Sequence, residues 1–155
     1  MKINVERMRY KNDSLSFTLC MAALVADVIQ FTLIYSNSVL SSLTGVAGFN
    51  YYTIGIDIIV NILFMLFAFY VGEELKTYHI KWAIAPIIMG VLQIYRIFDF
   101  PKSMMKFGFI TEKLYGMCVI CLVFSAVCLF IASVNTFIKS TMLNRYLKTV
   151  DTSPK

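Results

Sequence analysis

The sequence predicts an all-α integral membrane protein: a four-helix bundle of four transmembrane helices with both termini in the cytoplasm. Three observations point there. The 155 residues are 59% hydrophobic and 15% charged, where a soluble domain has roughly 45–50% and about 25%. The apolar residues gather in four runs close to the ~20 residues a helix needs to cross a hydrocarbon core of about 30 Å. The basic residues lie between those runs, chiefly in segments that would share one side of a membrane. The chain is expected to form one domain. It divides into a basic N-terminal segment, 1–14, a four-span bundle, 15–138, and a basic C-terminal tail, 139–155.

The first span is expected over residues 15–35. It is longer than the apolar stretch of a cleavable signal peptide, and further spans follow it. Asp13 or Ser14 is placed to cap its start. The preceding "MKINVERMRYKND" orients this span as a basic tail, with rest on anionic lipid as the alternative. The second span covers 52–71. It follows "SNSVLSSLTGVAGFN", which carries no charge and reads as a plain outer loop; re-entry of 39–50 into the membrane is the alternative. The third span, 82–98, is short. Pro86 either occupies its first turn or bends it, and Arg96 and Asp99 precede Pro101. The fourth span covers 114–138.

Charge asymmetry sets the orientation. Lys2, Arg7, Arg9, Lys11, Lys76, Lys81, Lys139, Arg145, Lys148 and Lys155 fall on one side, and only Lys102, Lys106 and Lys113 on the other. The positive-inside rule puts the first group, and both termini, in the cytoplasm of a cell-membrane protein. Tyr10, Tyr70, Tyr78, Trp82 and Tyr146 mark the inner boundary, and Tyr35, Tyr51, Tyr52 and Tyr115 the outer one. The net charge of +5 therefore reports topology, and a nucleic-acid partner is not expected.

Each span carries one stripe of small and polar residues at steps of three and four, which keeps them on a single helix face. Ser16, Cys20, Ala23, Asp27, Gln30 and Ile34 form it in the first span, and Asp57, Asn61, Phe64 and Ala68 in the second. Gly90, Gln93 and Arg96 form it in the third, and Cys118, Cys121, Ser125, Cys128, Ala132 and Asn135 in the fourth. In lipid, helices associate through close contact of small residues and interhelical hydrogen bonds. The stripes should therefore face one another and the Leu, Ile, Val and Phe faces should meet acyl chains.

The stretch "LYGMCVIC", containing Cys118-x-x-Cys121, resembles the active-site segment of the vitamin K epoxide reductase family, whose redox CxxC also begins a fourth helix. The resemblance covers about eight residues and implies a thiol–disulfide pair at Cys118 and Cys121. That family also uses a second cysteine pair in its first outer loop, where this sequence has none. Read from the residues themselves, the two cysteines are small members of the packing stripe.

Depth along the helices follows from about 1.5 Å per residue. Asp27 falls about 18 Å from the inner boundary, and Gln93 and Arg96 about 16 and 21 Å from it. Asp57 and Asn61 fall about 7 and 13 Å below the outer boundary. An isolated Asp or Arg at a helix centre costs about 2.5–3.5 kcal/mol, so Asp27, Gln30, Asp57, Asn61, Gln93 and Arg96 are expected to form a network. Arg96 is expected as the cationic partner of Asp57, Asp27 or both, with Asp99 as an outer alternative. The network would be a structural clasp; a proton or cation site is the alternative, and Arg96 snorkelling to the headgroups a third possibility.

His79 is the single histidine and falls in a solvated loop, so no metal or cofactor is expected. No complete catalytic signature is visible. The leading functional expectation is a non-enzymatic accessory or structural subunit of a membrane complex, transporter-associated or homo-oligomeric. Its partners would be the lipid bilayer and another integral membrane protein or a second copy. The alternatives are a small ion- or proton-coupled transporter or channel using Asp27 and Asp57, and a membrane thiol oxidoreductase using Cys118 and Cys121.

Overall fold

The computed structural model describes residues 13–37, 51–78, 80–106 and 110–151, and all its elements are helical. The expectations for residues 1–12, for the 39–50 segment and for His79 lie outside the described residues. Helix α1 spans Ser14–Asn37 and α2 Tyr51–Leu75. A 3₁₀ turn, Ile80–Ile84, leads into α3, Ala85–Phe98. The short α4 covers Phe100–Lys106 and α5 covers Glu112–Asp151. Four stretches, Ser14–Tyr35, Gly55–Leu75, Ile80–Lys106 and Glu112–Thr149, are long and apolar enough to cross a membrane.

The helix ends follow local chemistry. Asp13 caps α1: Oδ1 accepts from the Ser16 N–H at 3.5 Å and Oδ2 from Ser16 Oγ at 2.8 Å, occupying one of the N–H groups a helix start leaves open. After α2 the chain tightens, with Lys76, Thr77 and Tyr78 N–H groups donating to carbonyls three residues back at 3.2–3.3 Å. Tyr78 then reverses direction at φ 57°, a left-handed conformation uncommon for a bulky residue.

The third crossing is composite. The 14 residues of α3 supply about 21 Å, short of a core of about 30 Å. The 3₁₀ turn adds about 10 Å at its longer rise of ~2 Å per residue, and the stretch long and apolar enough to cross a membrane begins at Ile80, two residues before the expected Trp82. Pro86 lies in the first turn of α3, where its missing N–H leaves no helical bond unmade. Pro101 has no N–H to give the Ile97 carbonyl. Helix α3 accordingly stops at Phe98, the chain breaks at Asp99 (φ −96°, ψ −102°), and α4 restarts with the Ser103 N–H bound to Asp99 O at 3.1 Å.

Helix α5 has 40 residues, about 60 Å, and continues as helix through 139–151, which the sequence had assigned to the tail. Its interior faces pack along α1 and α3, and α1 packs along α2, whereas α2 and α3 touch lightly. Helices α1 and α3 run one way and α2 and α5 the other. At the α3–α5 contact the Phe130 ring lies over Gly90: a Cβ there would stand 2.8 Å from Phe130 Cε1, so the ring would have to shift.

The packing is layered. Cys20, Ala23, Phe64, Ala68, Val71, Leu75, Met89, Cys128, Leu129 and Ala132 form one buried apolar cluster. Ile34, Met104, Ile110 and Cys118 form a second, nearer the other end. Buried polar residues lie between them. Outward, Leu63, Leu66, Ile88, Tyr95, Phe98 and Ile120 are each more than half exposed. Polar within and apolar without is the arrangement expected in lipid, consistent with a multi-pass helical membrane protein.

A second polar cluster clasps the end where α1 begins. Lys139 Nζ pairs with Asp13 Oδ1 at 2.8 Å. Asn135 Nδ2 donates to Asp13 Oδ2 at 3.0 Å and Ser16 Oγ at 2.7 Å, and Thr136 Oγ1 to Ser16 Oγ at 2.8 Å. The Asp13 N–H reaches Lys76 O at 3.0 Å, bringing in the end of α2.

Candidate functional site

Between the two apolar clusters, one hydrogen-bonded chain passes through all four long helices. It starts on α5, where Ser125 Oγ donates to Asp27 Oδ2 on α1 at 3.4 Å. From α3, Gln93 Nε2 donates to Asp27 Oδ1 and, at 3.0 Å, to Ser125 Oγ. Arg96, one turn along α3, donates from Nη1 to Gln93 Oε1 at 3.0 Å and from Nη2 to Asn61 Oδ1 on α2. Asn61 Nδ2 in turn donates to Asp57 Oδ2 at 2.9 Å and to the Asp57 carbonyl at 2.8 Å. Tyr35 Oη, on α1, closes the chain on Asp57 Oδ2 at 2.8 Å.

Asp27, Gln93, Ser125 and Asn61 are at most 1% exposed, while Asp57 and Arg96 are partly buried. The guanidinium also lies 5.8 Å from the centre of the Phe64 ring, within reach of a cation–π contact.

The expected direct ion pair is not formed, since Arg96 makes a salt bridge with neither Asp27 nor Asp57. The reason lies in the donor and acceptor sets. A carboxamide has both an acceptor and donors, so it satisfies a guanidinium on one side and a carboxylate on the other. Gln93 and Asn61 do this for Asp27 and Asp57 respectively. Asp99 is outside the chain of bonds: it is exposed, and its described role is in the backbone, its N–H on Arg96 O at 3.2 Å.

Gln30 stands apart within the same layer. It is 1% exposed, three residues from Asp27 and five from Tyr35 on the inward stripe of α1, and its Oε1 is buried without a hydrogen-bond partner among the described residues. Arg96 uses two of the five N–H groups a guanidinium carries in bonds to described residues.

The packing stripe divides. Cys20, Ala23, Cys118, Ser125, Cys128 and Ala132 are buried. Cys121 is only half-buried and lines an apolar groove of about 500 Å³ between α1 and α5, with Ala22, Ala26 and Phe124. Cys118 lies instead in the apolar cluster with Ile34, Met104 and Ile110, and both are free thiols. Among the described residues no three His, Cys, Asp or Glu side chains gather as a metal site.

Sequence reasoning missed Tyr35 as a network member, having assigned it to the boundary, and Ser125 as more than a small packing residue. Spacing gave little signal for Tyr35: eight residues on from Asp27 it lies about 80° around the helix, at the edge of the inward face, and its long side chain reaches Asp57 from there. Sequence reasoning also missed Ser133, Thr136 and Ser140, buried polar residues that extend the α5 stripe; Ser133 Oγ donates to the Ala83 carbonyl.

Fold and site together define a helical bundle whose four long stretches are apolar enough to cross a membrane, with a hydrogen-bonded polar layer through its interior. The chain matches no family model, no curated protein and no solved structure.

Proposed function

We propose that this protein is a small non-enzymatic accessory or structural subunit of a membrane complex, either bound to a transporter or assembled with copies of itself. It would sit in the cell membrane with both termini in the cytoplasm. One observation carries the reading: the polar groups from Tyr35 to Ser125 bind one another across four helices. They hold the bundle together and leave an apolar exterior for lipid and other membrane helices. The thiol reading is weaker, because a reactive cysteine needs access and a setting that favours thiolate, and Cys118 lies in an apolar cluster.

Extraction from the native host in a mild detergent, with identification of co-migrating proteins, tests the proposal. A stoichiometric membrane partner, or an oligomer of fixed size, is expected. A monomer that catalyses pH-dependent flux in liposomes, lost in Asp27→Asn, would replace it with the ion-coupled transporter reading. The observation favouring that second reading is the excess of acid over base in the layer, Asp27 and Asp57 against Arg96.

A further inference from the structure

We propose that the polar layer holds one exchangeable monovalent cation, a proton or an alkali-metal ion, between the Asp27 carboxylate and the Gln30 side-chain carbonyl. Two independent observations meet there.

The first is the charge count. The charged side chains of the layer are Asp27 from α1, Asp57 from α2 and Arg96 from α3, and α5 contributes Ser125, which is neutral. Asp99, at the end of α3, is exposed. Among the described residues, Tyr35 on α1 also binds the layer, and α5 carries the free thiols Cys121 and Cys118 about one and two turns from Ser125. With both carboxylates ionised the layer carries one net negative charge inside a low-dielectric bundle, where an uncompensated charge is strongly disfavoured. One bound positive charge makes it neutral.

The second is the orphan acceptor. Gln30 Oε1 is buried with no hydrogen-bond partner among the described residues, although buried polar atoms are almost always hydrogen-bonded. Gln30 follows Asp27 by three residues, a rise of about 4.5 Å along the backbone of α1, and both side chains are buried on the same inward stripe. The Asp27 oxygens each accept from a neighbour, yet a carboxylate has about four lone-pair sites, so it retains capacity for a cation. A proton on Asp27 would make that carboxyl a donor and Gln30 Oε1 a fitting acceptor. An alkali ion would take both oxygens as ligands. The site does not depend on whether the protein moves the ion across the membrane, since a bound charge stabilises a purely structural subunit equally well.

The test uses the full chain in zwitterionic nanodiscs, with carboxyl-13C aspartate labelling and infrared spectroscopy of the carboxylic-acid C=O band. Thermal unfolding is followed in parallel in N-methylglucamine, sodium and potassium buffers. An aspartic-acid band at neutral pH that persists in every buffer and is lost in Asp27→Asn identifies the charge as a proton. A band that sodium or potassium abolishes, with a raised unfolding temperature, identifies an alkali ion. Gln30→Met keeps the shape and removes the acceptor, and it is expected to lower the unfolding temperature and weaken the band or the cation dependence. The proposal is overturned if wild-type protein shows neither an aspartic-acid band nor cation-dependent stability, or if the band belongs to Asp57 alone. It is also overturned if Gln30→Met raises the unfolding temperature and leaves the other signals unchanged. The wild-type measurements stand even where a variant fails to fold.

Discussion

Arg96 and Asn61 meet across the boundary between α3 and α2, the guanidinium donating to the amide oxygen. That boundary is lightly packed beside those of α1 with α2, α1 with α5 and α3 with α5, so a single polar contact there has little apolar packing beside it. Asn61 also holds Asp57, which makes it the joint through which base and acid are connected. A double-mutant cycle with Arg96→Met and Asn61→Leu should give a coupling within the range of about 0.5–3 kcal/mol typical of contacting residues. The charge exchange Asp57→Arg with Arg96→Asp should fail to restore stability, because Asn61 is arranged to accept from one side and donate to the other. Equilibrium unfolding in detergent measures both.

Gln93 is the hub of the layer, with bonds to Asp27, Ser125 and Arg96. Gln93→Leu keeps most of the volume and takes one hydrogen bond from each of its three partners, leaving Ser125 on Asp27 and Arg96 on Asn61. Leaving a buried group unsatisfied costs about 1–3 kcal/mol, and this variant should lose stability within that range. Ser125→Ala removes only bonds that Asp27 and Gln93 partly replace, and should cost near the ~0.6 kcal/mol average for a hydrogen bond between membrane helices. The ranking is read from unfolding midpoints.

Gly90→Ala places a methyl carbon 2.8 Å from Phe130 Cε1. Overpacking of this kind costs about 1–3 kcal/mol. Adding Phe130→Leu should recover part of the loss. Gly55→Ala, where nothing lies within 4 Å, should be neutral or slightly stabilising, since alanine is the better helix former by about 1 kcal/mol.

At the other end, Asp13→Ala removes the cap of α1 and strands Lys139, 20% exposed at its side chain. Loss of a cap alone costs about 0.5–2 kcal/mol. Asp13→Asn retains the capping oxygen and should cost less. Hydrogen exchange should locate the change in the first turn of α1 and around Asn135 and Thr136.

Much of this was legible in the residues because a membrane helix advertises itself by length and its interior face by polarity. The stripe Ser16–Cys20–Ala23–Asp27–Gln30–Ile34 could be drawn from spacing alone, and all six are buried. What spacing cannot give is the rotation of one helix against another. Cys121 follows Cys118 by three residues, yet it turns onto the α1–α5 groove because the α5 face shifts by the mismatch between a three-residue step and 3.6 residues per turn. The same limit hid the order of bonds. Depth placed Arg96 beside both acids, but only the three-dimensional arrangement inserts Gln93 and Asn61 between them. Helix ends were legible where a residue has a backbone consequence, as with Asp13 and Pro101, and were missed on α5, where no proline or glycine stops the helix after 138.

The inward-facing polar layer can be tested through Gln93 most directly, because the chain has only two glutamines, Gln30 and Gln93. Selective 15N-glutamine labelling in nanodiscs yields two side-chain amide signals, assigned by Gln93→Leu. The structure predicts that the Gln93 amide shows nuclear Overhauser contacts to protons of Asp27 and Ser125 and none to lipid methylenes. Contacts to acyl chains, without contacts to α1 or α5, would contradict it.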